Sequence, residues 1–547
     1  MQIKLIERLG DWNPQLLREI RAIRASNLLI AAAMSLLGQL LLFIHLQAQL
    51  PISPDPTIPI VNSYCLPRVA SSYDNYHNCL RDAAGNFIIN WQLWWLNWFI
   101  LSSLFAIVIL LVGGVYLLVN DLATENRRGT LNFIRLSPQS SQTILLGKLL
   151  GVPILIYLAL ILVLPLHLWA GLSAKIPLHL IFGFYIIVSA GCFFFYSAAI
   201  LFGLVSSAFG FSPWLASAVV LVFLLTNHYS VTGTLIDWLF LFSPNQIIPY
   251  LAEATHLNSN SMGVLLLSPT LYSNRWYSFE IDSIRSLFLA TLLNYALWSY
   301  WTWQAIQQCY ANPTKPLLTQ KQSYLLVAYF EVVAIGFTSV TKTVAGWQEG
   351  MIYHYHFLLI FNLVMFLTLI VSMTPSRSAL QYPGYEARSL LKMTRKSVVS
   401  TIGINLAIAS LFLIPWILFN LTASAQIPAL LSLIIFCNFI LFCAAITQIF
   451  VIRITQKPAL WIVGTFGAVT ILPVIVVQLI ARTHSETLML WLYTPYAWAA
   501  TPTASIANIV FAILSQWIII GLFTLQMSRD IKKISESKSK VLFASSN

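Results

Sequence analysis

The chain has 547 residues, 58% hydrophobic and only 9% charged, with a net charge of +12. A soluble domain carries about 25% charged residues, so a soluble core is excluded and an integral membrane protein is expected. The apolar runs are long and continuous, not alternating segments of about ten residues, which selects helices over a barrel.

Residues 1–27 read as an amphipathic helix on the inner membrane surface. Asn13 suits the N-cap and Pro14 the first helical position. Leu16, Leu17, Ile20 and Ile23 form an apolar stripe, and Arg18, Arg21 and Arg24 a basic one. Such a helix would contact lipid headgroups. Spans are then expected at 28–46, 92–119, 149–171, 178–208, 212–226, 284–308, 323–340, 354–373, 399–420, 428–451, 459–481 and 504–527. The expected fold is therefore an all-α polytopic membrane protein of about twelve transmembrane helices in two six-helix halves. The first half is 28–308, with an outer loop at 47–91 and an inner loop at 120–148. A Pro- and Lys-containing linker, 309–322, leads to a divergent second half, 323–527, and a basic tail, 528–547.

The basic residues set the orientation. With both termini cytoplasmic, 23 of the 30 Lys and Arg fall on the inner side and 7 on the outer. The positive-inside rule requires that bias; the expected location is the cytoplasmic (inner) membrane. The positive charge thus reports topology and anionic membrane lipids. No basic stripe with interleaved aromatics suggests a nucleic acid.

The outer loop 47–91 ends in "WQLWWLNW", an interfacial aromatic belt. It holds Cys65 and Cys79, which an oxidising compartment permits to pair as a disulfide or leaves as two thiols. Cys192, Cys309, Cys437 and Cys443 lie in spans or at a span end, where they pack as small apolar residues. Two short aromatic segments broken by proline, Trp238 to Pro249 and Trp491 to Pro502, precede the sixth and twelfth spans. Both fit re-entrant or interfacial helices beside a cavity. A faint match of Ser26–Ala31 to Ser323–Ala328 supports parallel repeats.

The inner loop carries the most distinctive residues. "DLATENRRGTLNFIRLSP" is expected to form a helix over 121–136, capped by Thr124 and stopped by Ser137-Pro138. A second helix then starts at Ser140 or Ser141 and leads into the third span. Glu125-x-x-Arg128-Gly129-Thr130-Leu131, then Leu136-Ser137-Pro138, then Gly147-Lys148, resembles the loop after the second span of type-2 ATP-binding-cassette (ABC) exporter permeases. The resemblance covers about residues 1–308; Asn132 stands where that family often has Glu, and the second half's loop 374–398 lacks R-G-T-L. It implies a transport subunit that is not itself an enzyme. A separate ATP-binding cassette subunit would dock on Glu125, Arg128, Gly129, Thr130, Leu131, Pro138, Gly147 and Lys148. ATP would be bound by that partner, with no cofactor on this chain. The sequence agrees in having no G-x-x-x-x-G-K-[ST] phosphate loop. One fused chain can serve as a pseudo-dimer, or two chains can pair as a homodimer.

Two acids fall at membrane depth. Glu331 is read as a group lining a cavity or as a structural hydrogen-bonder, and Asp237 as an interfacial cap. His354 and His356, two residues apart, lie on different helix faces, which argues against a metal site. Asn97, Asn294, Asn362, Asn405 and Asn438 are expected to bond between helices. Two alternatives to a permease stay open. One is a polytopic membrane transferase acting on a lipid-linked or hydrophobic substrate. The other is an ion-coupled secondary transporter with Glu331 as its coupling group.

Overall fold

The computed structural model describes residues 8, 10–52, 62–66, 79–83, 85–206, 212–226, 235–257, 274–277, 279–281, 283–312, 316–338, 351–374, 398–453, 458–480 and 490–545. The chain is a multi-pass, overwhelmingly helical membrane protein. Backbone groups in lipid must be satisfied within their own segment, and the apolar runs duly form helices. After α1 (Pro14–Arg21) come α2 (Ala25–Ala48), α3 (Trp91–Arg127), α4 (Thr130–Arg135), α5 (Ser141–Gly151), α6 (Ile154–Ser173), α7 (Leu178–Ser206) and α8 (Pro213–Thr226). Short α9 (Leu235–Phe240) and α10 (Ile247–Glu253) flank a 3-10 turn at Pro244–Gln246. A hairpin of β1 (Asn274–Trp276) and β2 (Phe279–Ile281) precedes α11 (Ile284–Ala311). The second half holds α12 (Gln320–Thr338), α13 (Met351–Met373), α14 (Val398–Asn420), α15 (Ala423–Arg453), α16 (Pro458–Ile480) and α17 (Ile506–Ser545).

Each of the twelve expected spans coincides with a helix, but the number able to cross the membrane is smaller. Among the described residues, eight helices are long and apolar enough: α2, α3, α6, α7, α13, α14, α15 and the Ile506–Met527 part of α17. The 14-residue α8 covers only about 21 Å of the roughly 30 Å hydrocarbon core. Helix α12 falls short through polar content, with Gln320, Lys321, Gln322 and Glu331 in one segment. Helix α11 is diluted by Asn, Gln, Ser and Tyr along its length. The apolar stretch of α16 counted among the described residues is only Trp461–Val476. Helix α11 runs on to Ala311, α12 starts at Gln320, and α17 continues to Ser545, so 528–545 is an extension of the last helix.

Two large apolar cores form, one centred on α3, α7 and α11, the other on α12 to α15. The halves interlock, because Leu235, Trp238, Leu241, Ile281, Leu287 and Ala305 belong to the second core. Trp238 donates its indole N–H to Asn294 Oδ1 at 3.0 Å and meets Phe330 edge-on. Asp237 is buried in the first turn of α9 rather than lying at an interface. The second proline-broken segment likewise folds as a 3-10 turn at Ala497–Ala499 between short turns.

Within α3 a π-turn at Ile109–Gly113 shifts the hydrogen-bond ladder, and Tyr196 of α7 donates its hydroxyl to the Leu110 carbonyl at 2.8 Å. Gly114 is required at this crossing, since a Cβ there would run into the Tyr196 ring.

In the loop before α3, Cys65 and Cys79 are joined, with Cα atoms 5.3 Å apart. Such a crosslink over about 15 residues stabilises by about 3 kcal/mol on the chain-entropy estimate. Mass spectrometry of non-reduced, alkylated peptides should recover the linked pair; full alkylation of both thiols would exclude it.

Candidate functional site

The inner-loop residues singled out in the sequence converge at one end of α3. The 121–136 stretch is not one helix. Residues 121–127 continue α3 without a break, because no Gly or Pro interrupts them before Gly129. Thr124 therefore lies in the last turn of α3, not at an N-cap, and its carbonyl accepts from Arg128 N–H at 3.0 Å. Gly129 then takes φ +73°, a left-handed conformation that favours glycine. It ends α3 and starts α4. Thr130 Oγ1 donates back to the Glu125 carbonyl at 3.2 Å and stitches the two helices together. Ser140 Oγ accepts from Thr143 N–H at 3.1 Å and caps α5, as expected.

Beneath this turn lies a cluster of five charged side chains. Lys148 on α5 is fully buried. Its Nζ stands 2.6 Å from Asp121 Oδ2, 2.8 Å from Glu125 Oε2 and 3.9 Å from Glu19 Oε1. Arg18 on α1 closes the group, 2.7 Å from Glu125 Oε1. Burial alone would pull the Lys148 ammonium down, but Asp121 and Glu125, by charge and hydrogen bonding, hold it above its ordinary range. Burial raises the Glu19 carboxyl, against the pull of Lys148. Glu125 therefore acts through ion pairing, not through the positive end of a local helix.

The cluster ties α1 to α3 and α5. Asn13 Oδ1 accepts from Leu16 N–H at 2.9 Å and caps α1, while Asn13 Nδ2 donates to the Thr143 carbonyl at 2.8 Å. Helix α1 presses so closely on α5 that a Cβ at Gly147 would lie 2.6 Å from Asn13 Oδ1 and 2.9 Å from Leu16 N. Gly147→Ala must push backbone aside, so a loss of about 1–3 kcal/mol is expected. A thermal-unfolding midpoint equal to the parent's would show that α1 is not held here.

The other side of the loop faces outward. Leu131 and Ile134 are buried and root α4. The Arg135 guanidinium lies 5.3 Å over the Tyr310 ring at the end of α11. Phe133 and Leu136, by contrast, are 79% and 85% exposed. Arg127, Arg128 and Pro138 are exposed beside them. The arrangement is an apolar knob with basic neighbours, carried on a braced base.

Of the eight docking residues read from the sequence, Glu125, Leu131, Gly147 and Lys148 form or pack the base. Gly129 and Thr130 make the turn, and Arg128 and Pro138 are on the surface. Asp121 and Glu19, which neutralise Lys148, were not legible as partners. The matching loop of the second half, 375–397, lies outside the described residues.

Glu331 lies in the second core, fully buried. It lines neither the groove of about 760 Å³ between α2, α3 and α6 nor the cavity of about 400 Å³ between α9, α11, α12 and α13. Asn405 donates to Ser323 Oγ and Asn438 to Gln516 Oε1, each at 3.1 Å and each between helices. Among the described residues no three His, Cys, Asp or Glu are grouped to hold a metal ion.

Comparison with protein-family models, with curated proteins and with solved structures finds no match to the chain.

Proposed function

We propose that the chain is the permease subunit of an ATP-driven exporter, with both termini cytoplasmic, and that a separate ATP-binding subunit docks on the 120–148 loop. The observation that carries this reading is the exposed Phe133 and Leu136 pair, set beside Arg127 and Arg128 on a loop whose base is locked by buried ion pairs. Exposed apolar groups on a firmly held support are what a docking contact needs. The E-x-x-R-G-T-L and Gly-Lys residues that resemble the exporter permeases fall in this same element.

The coupling follows from the connections. A partner that moves on binding ATP would push on α4. The push passes through Thr130 and the Gly129 turn into α3, through the ion cluster into α1 and α5, and through Arg135 and Tyr310 into α11. Rigid-body tilting of packed helices is the expected output.

Arg128→Glu and Gly129→Pro test the reading. The first reverses an exposed charge. The second forces φ near −65° where the chain needs +73°. Both variants should insert normally and lose co-purification with an ATP-binding subunit. Retained co-purification and retained ATP-dependent transport in both would overturn the proposal.

A further inference from the structure

Glu331 is the most isolated charged-type group in the second core. It sits on α12 with Val327, Phe330 and Ala334 around its turn, all buried. The Asn362 carboxamide of α13, itself fully buried, is set beside it. Apart from the Asn362 side chain within its reach, neither Glu331 oxygen has a hydrogen-bond partner among the described residues, and Asn362 Oδ1 makes no close hydrogen bond either. Asn362 Nδ2 uses one hydrogen on the Leu358 carbonyl at 3.1 Å and keeps one spare.

Three acceptor oxygens enclosed together leave an ionised Glu331 without compensation, and a buried, unpaired charge costs many kcal/mol. Among the described residues no cation acts on Glu331. The titratable side chains described on the elements packed against α12 are Asp237 on α9, Tyr277 at the hairpin and Tyr353, His354, Tyr355 and His356 on α13. Helix α14 contributes none. None of these acts on Glu331, whose surroundings are burial and Asn362. Tyr277 is committed elsewhere: its N–H bonds the Gly336 carbonyl and its hydroxyl the Val332 carbonyl, so the hairpin closes over α12.

We propose that Glu331 and Asn362 form a buried proton-binding site. One proton on the Glu331 carboxylate turns an acceptor into a donor toward Asn362 Oδ1. The spare Asn362 hydrogen can then serve the second Glu331 oxygen. A cyclic acid–amide pair satisfies all three orphan atoms and clasps α12 to α13. When the proton leaves, the carboxylate faces an amide oxygen in an apolar seat, and the two helices must part to admit water. The site is therefore a place where protonation is linked to helix separation. This inference does not rest on the docking reading.

The test is infrared spectroscopy of the purified full-length protein in lipid nanodiscs at pH 7. The parent minus Glu331→Gln difference should contain a protonated-carboxyl C=O band that shifts in D2O. The band should be the same in sodium chloride and choline chloride. Asn362→Leu keeps the acid but removes its partner, so the band should move to higher frequency; it also serves as a second reading should Glu331→Gln fail to fold. Absence of the band at pH 7, or its loss on adding sodium, would overturn the proposal; the second result would make the site a metal-cation site. A band unmoved in Asn362→Leu would overturn the acid–amide pair.

Discussion

Lys148→Met should destabilise the protein by about 3–5 kcal/mol, the usual cost of removing one partner from a buried ion pair. Lys148 is fully buried and, among the described residues, is the cation paired with Asp121. Without it Asp121, Glu125 and Glu19 face one another, with Arg18 reaching only part of the group. Arg18→Ala should cost far less, about 0–1 kcal/mol, since Arg18 is 51% exposed and its pairing is screened. The Glu19 carboxyl is raised by burial, so the folded protein holds this proton more tightly than the unfolded chain does. Stability contributed here falls as pH rises from the ordinary value of 4.5 through the folded one. Glu19→Gln should accordingly cost little or nothing at pH 7 and flatten the pH dependence just above 4.5. Lys148 is raised, so its contribution is complete below 10.5 and is lost only as pH climbs through the higher folded value. Thermal midpoints followed by tryptophan fluorescence separate these cases. Equal midpoints for Lys148→Met and the parent would mean the cluster does not hold α1, α3 and α5 together.

The sequence made some of this legible and hid the rest for physical reasons. Asn13-Pro14 announced the start of α1, and Asn13 does cap it, because capping depends on neighbours three residues apart. The Arg-Gly-Thr stretch flagged the turn, but not that α3 runs unbroken into it. Helix propensity does not change where the membrane ends, so nothing local stopped α3 at Asn120. The partners of Lys148 were hidden by distance along the chain. Asp121 is 27 residues away and joins it only once α5 folds back beside α3. A lysine at the mouth of an apolar run does imply buried counter-charges, which is the one signal that could have raised the question. The repeat match misled about depth. It pairs Met34 with Glu331, yet Met34 is 62% exposed on peripheral α2 while Glu331 is enclosed at the centre of the second core. Leu-Leu patterns report apolar surroundings, and lipid and protein interior are equally apolar.

Phe133→Ser combined with Leu136→Ser should leave folding untouched and remove docking. Both side chains stand free of the core, so the folding cost should stay within about 0.5 kcal/mol. Against a partner the balance is different. Burying a Phe or Leu side chain contributes about 1.5–3 kcal/mol each, so losing both should weaken association at least 100-fold, about 2.7 kcal/mol. Leu131→Ser is the matched control. Leu131 is buried under α4, so this variant should lower the thermal midpoint through a cavity and an unsatisfied hydroxyl. The two variants thus separate surface from support within six residues of chain. Thermal midpoints and recovery of an ATP-binding subunit with the tagged protein provide the two measurements. If the Phe133/Leu136 double variant recovers that subunit as well as the parent does, the exposed knob is not the docking contact. If instead its thermal midpoint falls as far as that of Leu131→Ser, the two side chains belong to the support and the division between base and surface is wrong.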